Sequence, residues 1–261
     1  MATWLLAGLV GLLAGSGLFI GALVGYTERL PHRAIAAVMG FGAGVLVAVL
    51  TLELVAESGE QGSVLATATG FMGGALLFSI GNWLLERRGA GERKRCGACV
   101  RQPTEAEVPG SGLAIAVGAL IDGIPESMAI GLSIAAVGGM AAGRATNLSI
   151  ALVAGFFLAN IPQGISSASG MHHAGRSRTY VLGVWAIVVG ASTVASIVGA
   201  VAFVGTSNVF LAALTALAAG GVLAMLAETM IPEAFHLNRR FIGAVTALGF
   251  MVALLLGSAA P

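Results

Sequence analysis

Two stretches of otherwise apolar sequence carry carboxylates and amides beside a proline: Asp122-Gly123-Ile124-Pro125-Glu126-Ser127 and Asn160-Ile161-Pro162-Gln163-Gly164. Asp122 and Glu126 are four residues apart, so on a helix they share one face, one turn above the other; Asn160 and Gln163, three apart, do the same. Pro125 and Pro162 each remove a backbone donor and free the carbonyls of Ile121 and Leu158. Glu228 stands four residues before Pro232, so its own carbonyl is freed, and Glu53 interrupts another apolar run. Every one of these groups is an oxygen ligand. No Lys, Arg or His accompanies them inside an apolar stretch.

That absence sets the sign of what the residues would bind. A carboxylate at the centre of a bilayer costs about 3 kcal/mol even on insertion scales. Without a basic partner it must hold a proton, share one, or meet a cation, whereas an anion path would place Lys, Arg or helix N-termini there. A cation path is expected. The inventory excludes intramembrane enzymes of the familiar kinds, since a zinc site of the His-Glu-x-x-His type and a Ser-His dyad both need a histidine in a span, and no second catalytic aspartate is present. No catalytic residue and no permanently bound cofactor are expected.

The elements that must position these residues follow from hydropathy. Of 261 residues, 57% are hydrophobic, only 10% are charged and 39 are glycine, a composition of the polytopic membrane class. Stretches long enough to cross a bilayer lie at 4–26, 34–55, 63–85, 112–137, 147–171, 179–204, 208–232 and 241–258, which predicts an all-α integral membrane fold of eight helices. The first reads as a retained helix and not a cleaved signal. Twelve of the 13 Lys and Arg residues fall in the alternate connections at 27–33, 86–111, 172–178 and 233–240, with Arg144 alone on the other side. The positive-inside rule then puts those connections in the cytoplasm and both termini outside, in a plasma or inner membrane.

The whole chain, 1–261, reads as a single transmembrane domain with one sizeable flexible cytoplasmic loop at 86–111. Cys96 and Cys99 in that loop have the spacing of half a soft-metal site, against an incidental reduced pair. His172, His173 and His236 fall at cytoplasmic ends, where solvated or headgroup-facing roles are expected. Gly17, Gly21 and Gly25 share one helix face at four-residue spacing, and Gly11 and Gly15 do likewise, which permits close helix approach without saying to which partner. Met128, Met225 and Met230 read as core filler.

At the polar clusters the chain resembles the ZIP family of divalent-metal transporters, over essentially its whole length. In that family the fourth helix carries His-Asn-x-Pro-Glu-Gly; here Asp122 stands for the His, Gly123 for the Asn, Glu126 is kept and Ser127 replaces the Gly. In the fifth helix Ala159 takes the place of His or Gln, Asn160 matches, Gln163 replaces Glu and Gly164 is kept. Ala227-Glu228…Ile231-Pro232-Glu233 resembles the family's His-Glu…Ile-Pro-Glu. The resemblance implies that helices one to three and six to eight form an inverted repeat around the four–five pair, often in a homodimer, with the metal held at mid-membrane and moved toward the cytoplasm.

The expected metal ligands are Asp122, Glu126, Asn160, Gln163 and Glu228, with Glu53 on the outward path. The substrate would be a divalent cation, zinc by resemblance and manganese or iron by the oxygen-rich ligand set, at one site and not two. The lipid bilayer is the other partner, and no nucleic acid is expected. Alternatives stay open at this point: a neutral, hydrogen-bonded structural cluster, a carrier of another cationic solute, or a relative that binds metal for sensing without transporting it.

Overall fold

The computed structural model describes residues 2–27, 31–90, 102–104, 106–109, 111–137, 142–237 and 240–258. Cys96, Cys99 and the whole basic cluster at 93–101 lie outside them. Among the described residues every element is helical, in eight rods. We label these α1 (Thr3–Tyr26), α2 (His32–Val49, continued through a π-helical Leu50–Val55 and Ala56–Gln61), α3 (Val64–Leu85, continued by a π-helical Glu86–Ala90) and α4 (Ser111–Val137). Then come α5 (Ala142–His173), α6 (Arg178–Ala202), α7 (Asn208–Met225, with π-helical Leu226–Met230, then Ile231–Leu237) and α8 (Ile242–Ser258).

Six of the rods, α1 to α4, α6 and α7, are long and apolar enough to cross a membrane. This is an all-α protein of the membrane-spanning kind. Serine caps begin three rods where the hydropathy pattern starts: Ser63, Ser177 and Ser207 accept from the backbone N–H groups of Ala66, Tyr180 and Phe210 at 3.2, 3.3 and 3.3 Å. The end of α5 is closed by Gly175 at φ 79°, with Gly175 N–H donating to the His172 carbonyl at 2.8 Å and Arg176 N–H to that of Met171 at 3.1 Å. This paired-bond stop requires a left-handed residue, which glycine adopts without strain.

Glycines decide which rods touch. A Cβ at Gly17, Gly21 or Gly25 of α1 would stand 2.4, 2.1 and 2.2 Å from the carbonyl oxygens of Phe157, Ile161 and Ile165 of α5. The four-residue glycine spacing is matched by four-residue carbonyl spacing on the partner, so α1 and α5 run with their backbones in contact. The other glycine face of α1 serves α6: a Cβ at Gly11 would meet Ser196 Cβ at 2.6 Å, and one at Gly15 would meet Val189 Cγ1 at 3.4 Å. Equivalent contacts join α2 to α8 (Gly44 against the Thr246 carbonyl, Gly249 against that of Phe41), α3 to α7 (Gly74 against Leu217, Gly220 against Phe71) and α4 to α6 (Gly131 against Ser196, Gly199 against Met128). The set 1·5, 4·6, 2·8 and 3·7 is unchanged when rods one, two, three and four are exchanged with six, seven, eight and five.

A test of this packing contrasts two glycines. Gly21→Val places side-chain atoms against a backbone carbonyl that no rotamer change can move, and should lower stability by at least the roughly 1–3 kcal/mol of an overpacked core. Gly73→Ala, with nothing within 4 Å, should be neutral or slightly stabilising through helix propensity. Thermal unfolding of the detergent-purified variants checks both, and equal melting temperatures would contradict the contact.

Candidate cation site

The two proline-centred clusters meet. Pro125 lies within α4 and Pro162 within α5, and the polar residues around them turn inward. Asp122 (4% exposed), Glu126 (2%), Asn160 (4%) and Gln163 (3%) are all buried. Gln163 Nε2 donates to Glu126 Oε1 at 3.3 Å across the two helices and to Asn160 Oδ1 at 3.4 Å within its own. Asn160 Nδ2 donates to the Ala14 carbonyl of α1 at 3.1 Å, which turns the amide nitrogen away and leaves its oxygen toward Gln163. One neutral amide thus supplies N–H groups to two oxygens, one on each helix.

Beside this network lies a small cavity lined by Leu18, Ala119, Asp122, Gly123, Asn160, Gln163, Ser167 and Trp185. Its volume of ≈ 10 Å³ is about that of one water-sized sphere. No Lys, Arg or His is among its walls. Four of its walls, Asp122, Asn160, Gln163 and Ser167, carry hard oxygen donors, the chemistry that suits Mg, Mn and Ca and, with less preference, Fe(II) and Zn; Leu18, Ala119, Gly123 and Trp185 complete it. A sulfur or imidazole ligand is missing from the walls.

Local packing accounts for two of the small residues in the motifs. A Cβ at Gly123 would stand 3.0 Å from Ser192 Oγ of α6, so this position is one of the contacts between α4 and α6. Ala159 is fully buried, and α2 crosses it at Gly42, where a Cβ would meet Pro162 Cγ at 2.8 Å and Ala159 Cα at 3.4 Å. A side chain at 123 would press on the Ser192 hydroxyl, and one larger than alanine at 159 would grow into a fully buried position beside α2.

Glu228 and Glu53 are not brought to this cavity. Glu228, in the π-helical part of α7, accepts from Ser79 Oγ and from Asn82 Nδ2 (2.9 Å) of α3; the same Asn82 Nδ2 donates to Glu86 Oε1 at 3.1 Å. Glu53, in the π-helical part of α2, is half-buried in a cleft of ≈ 210 Å³ between α2 and α8, lined also by Ala48, Val49, Leu52, Ala253, Leu254, Gly257 and Ser258. The two carboxylates therefore occupy matching places: each sits on a π-helical turn of α2 or α7 and faces that rod's glycine-packed partner. π-helical turns inside α-helices often mark functional positions.

Residues that the sequence pattern did not single out also contribute. Asn82 is buried, and with Ser79 and Glu86 it forms an i, i+3, i+7 polar stripe on α3 that was visible in the spacing. Ser167 and Trp185 wall the cavity, and nothing in their local sequence marks them. Arg176, set by the Gly175 turn, donates to the Gln102 side chain (3.5 Å), the Pro103 carbonyl (3.2 Å) and Ser111 Oγ (3.2 Å), while Gln102 Nε2 donates to the Ser167 carbonyl at 3.5 Å. The connection before α4 is thereby pinned beneath the cavity wall.

His172, His173 and His236 stand apart from the site. His172 packs edge-on against Tyr26 with ring centroids 4.4 Å apart, His173 Nδ1 bonds the Ser169 carbonyl at 2.9 Å, and His236 is exposed. Met225 and Met230 are buried in the main apolar core. Met128 lines a separate apolar groove of ≈ 400 Å³ between α3, α4 and α7. Compared with protein-family models and with curated proteins, the chain matches none.

Proposed function

We propose that the chain is a ZIP-like transporter of divalent metal cations, moving metal toward the cytoplasm through a mid-membrane site formed by Asp122, Glu126, Asn160 and Gln163. The observation that carries this reading is the buried, base-free cluster of oxygen donors on two proline-containing helices, balanced by a single Gln163 amide. A cation arriving there replaces the amide N–H as the positive partner, provided Gln163 turns its carbonyl oxygen inward. Eight spans with both termini outside, in a plasma or inner membrane, form part of the proposal. The glycine-paired rods, self-matching under exchange of one–three with six–eight, support an inverted repeat, and the π-turn carboxylates Glu53 and Glu228 would flank the central site as outward and cytoplasmic stations. Zinc is proposed by resemblance, manganese or iron by ligand chemistry, and a homodimer as the assembly.

A second reading has one observation in its favour. The Gln163 hydrogen bonds satisfy the cluster with no ion, as a structural network or a non-transporting metal sensor would. Binding separates the structural alternative. Asp122→Ala removes the one carboxyl group of the cavity wall and is expected to weaken Mn²⁺ or Zn²⁺ binding by more than about 10-fold, since even loss of a group that only orients a ligand costs 10–100-fold. Calorimetric titration of purified protein checks this; unchanged affinity would remove Asp122 from the site.

A further inference from the structure

The apolar groove between α3, α4 and α7 has no part in the proposed function. Ile121 to Leu132 of α4 run along it for about 16 Å, at the helical rise of ~1.5 Å per residue, and its lining side chains are apolar. It opens sideways toward the hydrocarbon: Leu77 is 63% exposed and Ile124 40%, while Phe78, Leu132 and Ala218 form a buried floor. Two of its glycines are not packing glycines. A Cβ at Gly81 would stand 3.7 Å from Ile121, and one at Gly221 3.5 Å from Pro125, both ordinary contacts, so no close backbone approach calls for glycine there. What glycine keeps at these positions is open space.

Water does not suit this space, because an apolar lining leaves it without the polar partners it needs. Spread over about 16 Å, the ≈ 400 Å³ of the groove gives a cross-section of roughly 25 Å², against about 80 Å² for a helix of ~10 Å diameter. A helix of a second copy of the chain is too wide. One hydrocarbon chain, lying parallel to the rods and gaining dispersion contacts from all three, fits.

Charge identifies the headgroup. Leu113 and Val117, both exposed, continue the stripe of Ile121 and Ile124 toward the end of α4 on which Glu86–Ala90 of α3 packs. Arg87 and Arg88 are exposed there; Arg87 stacks over Trp83 at 3.7 Å, and among the described residues no carboxylate pairs with either. Glu86 is turned to Asn82. Tryptophan and arginine at the end of a span sit at headgroup depth, where a basic pair attracts anionic lipid. We propose that the groove binds one acyl chain of an anionic phospholipid whose phosphate rests on Arg87 and Arg88. The inference stands apart from the metal-transport reading. Pro125, one residue before Glu126, lies in the groove wall, so the bound chain props the proline turn of α4 against α3 and α7.

The test uses the full chain in detergent, with phosphatidylglycerol and phosphatidylcholine of identical chains as probes and native mass spectrometry to count the lipids retained. The unaltered chain should hold one phosphatidylglycerol about tenfold more tightly than phosphatidylcholine, and Arg87→Gln with Arg88→Gln should remove that preference. Gly81→Phe fills the groove and should abolish retention. Gly73→Phe puts the same ring on the open face of α3, where nothing lies within 4 Å, and should keep it. Gly221→Val fills the opposite wall and reads the same loss if Gly81→Phe fails to fold. Equal retention by the groove-filled variants and by Gly73→Phe would overturn the inference. So would equal retention of both lipids by the unaltered chain, or a lipid-free dimer that Gly81→Phe dissociates, which would assign the groove to a second copy.

Discussion

Glu126→Gln is expected to reduce divalent-metal uptake to background while the protein still folds. The substitution preserves the side chain's size and its ability to accept from Gln163 Nε2, the 3.3 Å bond that ties α4 to α5. What it removes is the capacity to carry negative charge, which is the part of the site that a cation needs and a structural cluster does not. Loss of a charged ligand should cost more than the 10–100-fold associated with a group that only orients one, so affinity should fall by more than about 100-fold. Melting temperature without metal should change little. Stabilisation by added metal, which grows with ligand concentration over Kd, should disappear. If instead the variant unfolds and the unaltered chain gains nothing from metal, the cluster is a packing device.

The opposite substitution is expected to have the opposite sign. Gln163→Glu deletes the amide N–H that serves both Glu126 Oε1 and Asn160 Oδ1 and puts a second carboxylate opposite the first. Without metal, buried acceptors lose their donor, and stability should drop by about 1–3 kcal/mol. With metal, the added oxygen ligand carries charge, and affinity should rise about tenfold, equivalent to 1.4 kcal/mol, or a second ion should bind. Paired melting curves and metal titrations read both halves. Unchanged affinity and unchanged stoichiometry would tell against Gln163 lining the site.

The central cluster was legible in the sequence because membrane burial makes polar residues conspicuous. Asp122, Glu126, Asn160 and Gln163 stood out against apolar runs, and their four- and three-residue spacings place each pair on one helical face, where the structure brings them together. The rods were legible for the same reason: each apolar run expected to span coincides with a helix, within a few residues at most ends. The connection after α3 starts later than hydropathy suggested, because Glu86–Ala90 continues the helix.

What the sequence left hidden depended on packing between distant rods. Glycines at 17, 21 and 25 announce that some backbone comes close, but only the fold identifies it as that of Phe157, Ile161 and Ile165. Glu228 and Glu53 read as further members of one polar inventory; the π-helical turns that carry them break the 3.6-residue register from which a face would be extrapolated, and each turns to a different partner rod. Trp185 was silent because a tryptophan in an apolar span is ordinarily core. Only the enclosed N–H and the cavity beside it distinguish this one.

Uptake into liposomes reconstituted with the purified chain, measured for Zn, Mn, Fe(II), Co and Cd, tests the transport claim most directly. Time-dependent accumulation of at least one of these ions is expected, saturable, competed by the others, and absent in liposomes carrying Glu126→Gln. Equal accumulation in protein-free, unaltered and Glu126→Gln liposomes for all five metals would contradict it.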